Sequence, residues 1–85
     1  MLRFEDCLGL CDLTEEEITA IAEHEGLPVL PAAELGAALL RRPDGVARIQ
    51  KMILDDIALA QRRRRFARAT RLRSVLRRFV EVHPG

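Results

Sequence analysis

The chain has 85 residues, enough for one helical domain spanning 1–85 and near the lower limit of what a single core can hold folded. Apolar residues make up 48% and charged residues 32%, with no Trp or Tyr and three Phe, so the core must be aliphatic; no stretch reaches the roughly 18 apolar residues of a membrane span. The formal charge of +1 hides a cancellation: residues 1–40 carry Arg3 against nine acids, net −8, while residues 41–85 carry thirteen basic groups against four acids, net +9.

The first residues, "MLRFEDCLGLCD", have acids within six positions and no apolar h-region, so they are not read as a secretory signal. Cys7 and Cys11 are too few and too close for a disulfide scaffold, and a cytoplasmic setting with reduced thiols is expected. The stretch "LRFEDCLGL" predicts a short helix with Phe4, Cys7, Leu8 and Cys11 on one side.

"LTEEEITAIAEHEGL" predicts a helix over 15–25. Thr14 and Glu17 have the spacing of a capping box, Leu13 and Ile18 that of a hydrophobic staple, and Glu15–Glu17 sit at the positive end of the helix dipole. Gly26 follows as a left-handed stop. The apolar stripe of Ile18, Ile21 and Ala22 is narrow, which predicts a surface position.

"PVLPAAELGAALLRR" predicts a helix over 28–42, with Pro28 and Pro31 confined to its first turn. Ala32, Ala33, Gly36 and Ala37 point to close approach by a neighbouring helix, and Pro43 and Asp44 separate it from the next one. That next helix, 45–61, carries a main stripe of Val46, Ile49, Ile53, Ile57 and Ala60, with Met52 and Leu59 widening one flank and Leu54 and Ala58 the other. So narrow a polar face predicts the central helix of a small all-α bundle of four to five helices, covered by its neighbours or by a second copy.

Nine of the seventeen residues from Arg62 to Arg78 are arginine. The apolar residues beyond 65 (Phe66, Ala69, Leu72, Val75, Leu76, Phe79, Val80) form a stripe displaced by about half a turn from that of 45–61. Two structures meet that shift: a turn at 62–65 that closes an antiparallel hairpin, or one long helix in an intertwined dimer.

Arg64, Arg71 and Arg78 recur every seven residues, with Arg63, Arg73 and Arg77 spreading the charge, and such a face can track a phosphate backbone. Three features weigh against nucleic acid. Phe66 and Phe79 lie in the apolar stripe, so no ring is free to stack on bases; Asn is absent; and the pI is about 7.9. The chain's own acids, Glu15, Glu16, Glu17, Glu23, Glu25 and Glu34, are the first candidate partners, within one chain or between two copies.

Cys7, Cys11, His24 and His83 are conceivable zinc ligands at poor spacing, and small buried cysteines explain the pair better. Redox use is disfavoured by the acids around both thiols, and His24 reads as a helix-end residue. Asp56 lies on the flank of an apolar stripe and needs a partner, for which an arginine from 62–68 is the natural choice. No nucleophile–base pair, phosphate loop, cofactor motif or metal motif is present, so enzyme activity is not expected.

The run "LTEEEITAIAEHEGLP…AAELGAALL…DGVARIQKMILDDI…LRSVLRRFVEVHP" resembles small uncharacterised all-helical proteins of proteobacteria. The resemblance implies a bacterial cytoplasmic setting and no particular activity. The expected function is that of a small non-enzymatic interaction module, self-associating or binding another protein through its charged helix faces. A nucleic-acid-associated regulator using the basic C-terminal helix is the alternative.

Overall fold

A computed structural model describes residues 13–84 as four helices: α1 (Glu15–Glu25), α2 (Val29–Leu40), α3 (Gly45–Arg62) and α4 (Phe66–Val82). The expected short helix with Phe4, Cys7, Leu8 and Cys11 lies outside the described residues.

Local sequence explains how α1 starts and stops. The Glu17 N–H donates to Thr14 Oγ1 at 3.2 Å, and the Thr14 N–H donates to Glu17 Oε1 at 2.9 Å, which completes the capping box. Gly26 takes the left-handed conformation at φ 66°, and the Leu27 N–H reaches back five residues to the Ala22 carbonyl at 2.9 Å. The helix is not the surface element its narrow stripe predicts. Ile18, Ala20, Ile21 and Ala22 are all buried, as is Glu17, and α1 packs against each of the other three helices. Small residues opposite it make that possible. Gly36 of α2 sits where a Cβ would run into the Leu13 side chain and crowd that of Ile21, and Ala32 and Ala33 are buried beside it.

The central position expected of the 45–61 helix is observed for α3, which also meets all three partners, whereas α2 and α4 do not pack against one another. Its cover is one-sided. Ile49, Ile53, Ile57 and Ala60 face the core, while Leu54 is 52% exposed and Ala58 is exposed too. The second apolar flank therefore faces outward within one chain. Asp44 precedes α3 but makes no capping bond; its carboxylate is held by the Arg42 and Arg48 Nε groups at 3.2 and 2.7 Å. The core is completed from α4 by Ala69, Leu72, Val75 and Phe79. Burying Phe79, Ile18, Ile21, Ile49 and Ile53 contributes about 1.5–3 kcal/mol each, before the opposing chain entropy.

Between α3 and α4 the chain breaks. The Arg64 N–H donates to the Gln61 carbonyl at 3.0 Å and the Arg65 N–H to the Ala60 carbonyl at 2.8 Å, the paired bonds of a Schellman stop. Arg64 occupies the left-handed position at φ 57°, the one residue other than glycine to do so among the described residues. This turn accounts for the half-turn shift between the two apolar stripes, since it lets α4 fold back and bury its stripe against α3 and α1.

Candidate functional site: an arginine turn between two helices

The stop at Arg64 gathers Arg62, Arg63, Arg64 and Arg65 at one end of the bundle, all exposed. Among the described residues none of the four forms an ion pair. They follow the negative end of the α3 dipole, which suits them, but they also crowd the positive end of α4. There α4 begins at Arg65 with no side-chain cap and no acid in its first turn. Phe66, the first residue of α4, is 63% exposed. Its expected place in the buried stripe is thus overturned. The stripe reaches the core only from Ala69 onward, because Phe66 lies in the end turn, beyond the neighbours that cover Ala69 and Leu72.

Beside this turn lies a cavity of about 140 Å³ lined by Glu23 of α1, Asp56, Leu59 and Ala60 of α3, Arg63 and Arg65 of the turn, and Arg68 of α4. Asp56 is 8% exposed, and its buried Oδ2 has no hydrogen-bond partner. The expected lock between Asp56 and an arginine of 62–68 is therefore not made. Arg68 instead donates to Glu23 Oε2 at 2.5 Å, since the exposed carboxylate can be reached without stripping the guanidinium of water. Burial pushes the Asp56 pKa up to about 6, against the attraction of His24 and Arg68.

His24 closes the adjoining edge. Its Nδ1 lies 2.7 Å from Glu25 Oε2 and its Nε2 3.1 Å from Asp55 Oδ2, tying the end of α1 to α3. Partial burial disfavours its charged form, but the hydrogen bonds to Glu25 and Asp55 outweigh this and raise its pKa above 6.5.

The other sequence-predicted residues lie elsewhere. Glu15 and Glu16 line an open groove of about 460 Å³ between α1 and α4, opposite Arg68 and Arg71, and Arg71 Nε donates to Glu16 Oε2 at 3.1 Å. Arg78 borders a smaller cleft with Thr14, Glu17 and Ser74, while Arg77 is exposed on α4. Arg64 stands in the turn, so it does not continue the Arg71–Arg78 face; a seven-residue repeat aligns side chains only along an unbroken helix. The intramolecular charge match is real but short: between α1 and α4 it consists of Glu16–Arg71 and Glu23–Arg68. Both pairs are solvent-exposed and contribute about 0–1 kcal/mol each.

Among the described residues no three His, Cys, Asp or Glu side chains are grouped to hold a metal ion. His24 sits at the α3–α4 turn end and His83, stacked 4.8 Å from the Phe79 ring, follows the far end of α4. The four-ligand set that would join both histidines to Cys7 and Cys11 is not supported by that separation. No helix among the described residues is long and apolar enough to cross a membrane. No known family matches the chain, and no curated protein or solved structure matches it.

A carboxyl whose pKa is raised by folding contributes stability below its unfolded value near 3.8, and that contribution is lost as pH climbs through about 6. At about 1.4 kcal/mol for each tenfold change in acidity, Asp56→Asn is expected to gain about 1–3 kcal/mol at pH 8, with most of the gain gone by pH 4. Urea unfolding of both proteins at pH 4, 6 and 8 measures this, and a difference that does not change with pH contradicts it.

Proposed function

We propose that the protein is a small non-enzymatic interaction module that holds an anionic macromolecule on its arginine turn. One observation carries the reading. Helices α1 and α3 end in the same left-handed stop, but α1 uses Gly26 there and α3 uses Arg64. A residue with a Cβ in that conformation costs about 1 kcal/mol relative to glycine. The fold is thus served by glycine at 64, and the arginine gives a fourth positive charge to a turn that has no carboxylate bound to it among the described residues. Local sequence that works against its own backbone is the pattern expected where a side chain serves a partner rather than the fold.

Self-association, the other expected property, draws support from a different surface. Leu54 and Ala58 face outward from α3, and Leu27, Val29 and Leu30 are exposed around the α1–α2 connection. Such a homodimer would leave the arginine turn free.

Arg64→Gly is the sharpest test of the main reading. The variant should unfold about 0.5–1 kcal/mol later than the parent in urea, yet elute at lower salt from a sulfated-polysaccharide column used as a generic polyanion. A parent protein that is not retained at 50 mM NaCl, roughly the low end for charge-driven binding, contradicts the reading, as does an Arg64→Gly variant that co-elutes with it. For the dimer, light scattering should give twice 9.6 kDa, and a mass of 9.6 kDa at high concentration contradicts it.

A further inference from the structure

We propose that the macromolecule held by this turn is single-stranded nucleic acid, with one phosphate seated between Arg63, Arg65 and Arg68 and a base stacked on Phe66. This rests on the anionic-partner reading and narrows it to one chemistry.

The ring is the first argument. Phe66 is the most exposed large apolar residue among the described ones, and it directly follows four arginines. An aromatic face beside a phosphate-binding track is the combination that single strands use, because every base has a face to stack and no sequence needs to be read. A duplex keeps its bases stacked inside, so a ring reaches them only by prising a step apart at a cost of a few kcal/mol. An acidic protein surface supplies carboxylates first and a flat partner only where an aromatic side chain lies beside them, whereas every nucleotide of a single strand carries both a phosphate and a base.

The cavity is the second argument. Its volume of about 140 Å³ suits one phosphate group, and three arginine side chains border it. Arginine offers a planar fork matched to phosphate oxygens. The uncapped N-terminus of α4 adds the positive end of a helix dipole on the same side.

The Asp56 carboxyl shares the cavity with the arginines. Asp56 Oδ2 is buried in the cavity wall with nothing to bond. That oxygen is closed off, so the carboxyl acts on a seated phosphate through its charge, repelling the phosphate when ionised and ceasing to repel it when neutral. Its pKa near 6 makes that exchange accessible in ordinary buffers. The charged groups facing it are Glu23 and His24 from α1, Asp55 from α3, Arg63 and Arg65 from the turn, and Arg68 from α4. Against its partial burial, the bonds to Glu25 and Asp55 raise the His24 pKa, so the informative quantity is the ratio of the Asp56→Asn variant to the parent at each pH, not the pH profile of the parent alone.

The test uses the full chain with a fluorescein-labelled 12-nucleotide oligothymidylate, a 12-base-pair duplex and polyglutamate, read by anisotropy at 50–200 mM salt, a range over which bound phosphates are resolved by slope. The single strand should bind more tightly than the duplex, and polyglutamate should compete poorly. Phe66→Ala, at a position exposed enough to leave the fold intact by circular dichroism, should weaken single-strand binding by about 5- to 100-fold. The double variant Arg63→Gln/Arg65→Gln should flatten the salt slope by roughly 0.7 for each phosphate it no longer holds. Asp56→Asn should bind more tightly than the parent at pH 7.5 and by a larger factor than Asp55→Asn, which removes the same charge from the neighbouring, exposed position; that advantage should shrink below pH 6. Equal binding by Phe66→Ala and parent, or equal affinity for duplex and single strand, overturns the proposal. An Asp56→Asn effect no larger than that of Asp55→Asn overturns the phosphate seat. If polyglutamate competes as well as the oligonucleotide, the nucleic-acid assignment fails while the broader anionic reading stands, and a protein that binds none of the three removes both.

Discussion

The left-handed stop at Arg64 is the constraint from which the rest of the molecule follows. Two backbone hydrogen bonds, from Arg64 to Gln61 and from Arg65 to Ala60, end α3 and reverse the chain. Without that reversal the stripe of Ala69, Leu72, Val75 and Phe79 would point away from the stripe of Ile49, Ile53 and Ile57 and could not be buried within one chain, and α3 would lose the cover that α4 gives it. With it, α4 closes the core. The same reversal projects four arginines and Phe66 at one end of the bundle and leaves Asp56 in the wall beneath them. Fold and candidate site thus share one local backbone feature.

Much of this was legible in the sequence because it depends on interactions close along the chain. The Thr14–Glu17 capping box and the Gly26 stop are short-range chemistry and appear as expected. The small residues of α2 forecast close approach, and Gly36 lies hard against Leu13 and Ile21. The half-turn displacement of the apolar stripe announced either a turn or an intertwined helix, and the turn is what forms. What stayed hidden depends on where neighbouring helices end. Phe66 has the right phase to be core, yet it is exposed because nothing packs over the first turn of α4. The stripe of α1 looks narrow, yet Ala20 and the folded-back Glu17 are buried with it, so a larger share of this helix is enclosed than of α3. Asp56 was identifiable as a misfit on an apolar flank, but its missing partner was not, because Glu23 claims Arg68 and no pattern in one helix reveals that competition.

Charge is distributed by the same logic. A chain with a net charge of +1 looks indifferent to polyanions, but its acids and bases are sorted by helix rather than mixed. Folding brings α1 beside α4 and pairs Glu16 with Arg71 and Glu23 with Arg68. The turn lies past the end of this match: its four arginines are exposed and form no ion pair among the described residues, although Arg63 and Arg65 share a cavity with Glu23 and Asp56, while Glu15 and Glu16 line the groove towards the other end of α1. Local potential, not net charge, governs what such a surface attracts.

Residues 63–65 reverse the chain within one molecule, and a distance measured across α3 and α4 distinguishes that turn from a continuous helix. Spin labels at Lys51→Cys and Arg77→Cys, with Cys7 and Cys11 changed to Ser and the labelled chain diluted in unlabelled protein, report on positions 26 residues apart in sequence. Packed antiparallel helices place them below about 25 Å, allowing for the label arms. A single continuous helix would hold them about 39 Å apart at 1.5 Å per residue. A narrow distribution at the short distance is expected, and a population centred near the long one would mean that α3 and α4 run on as one helix.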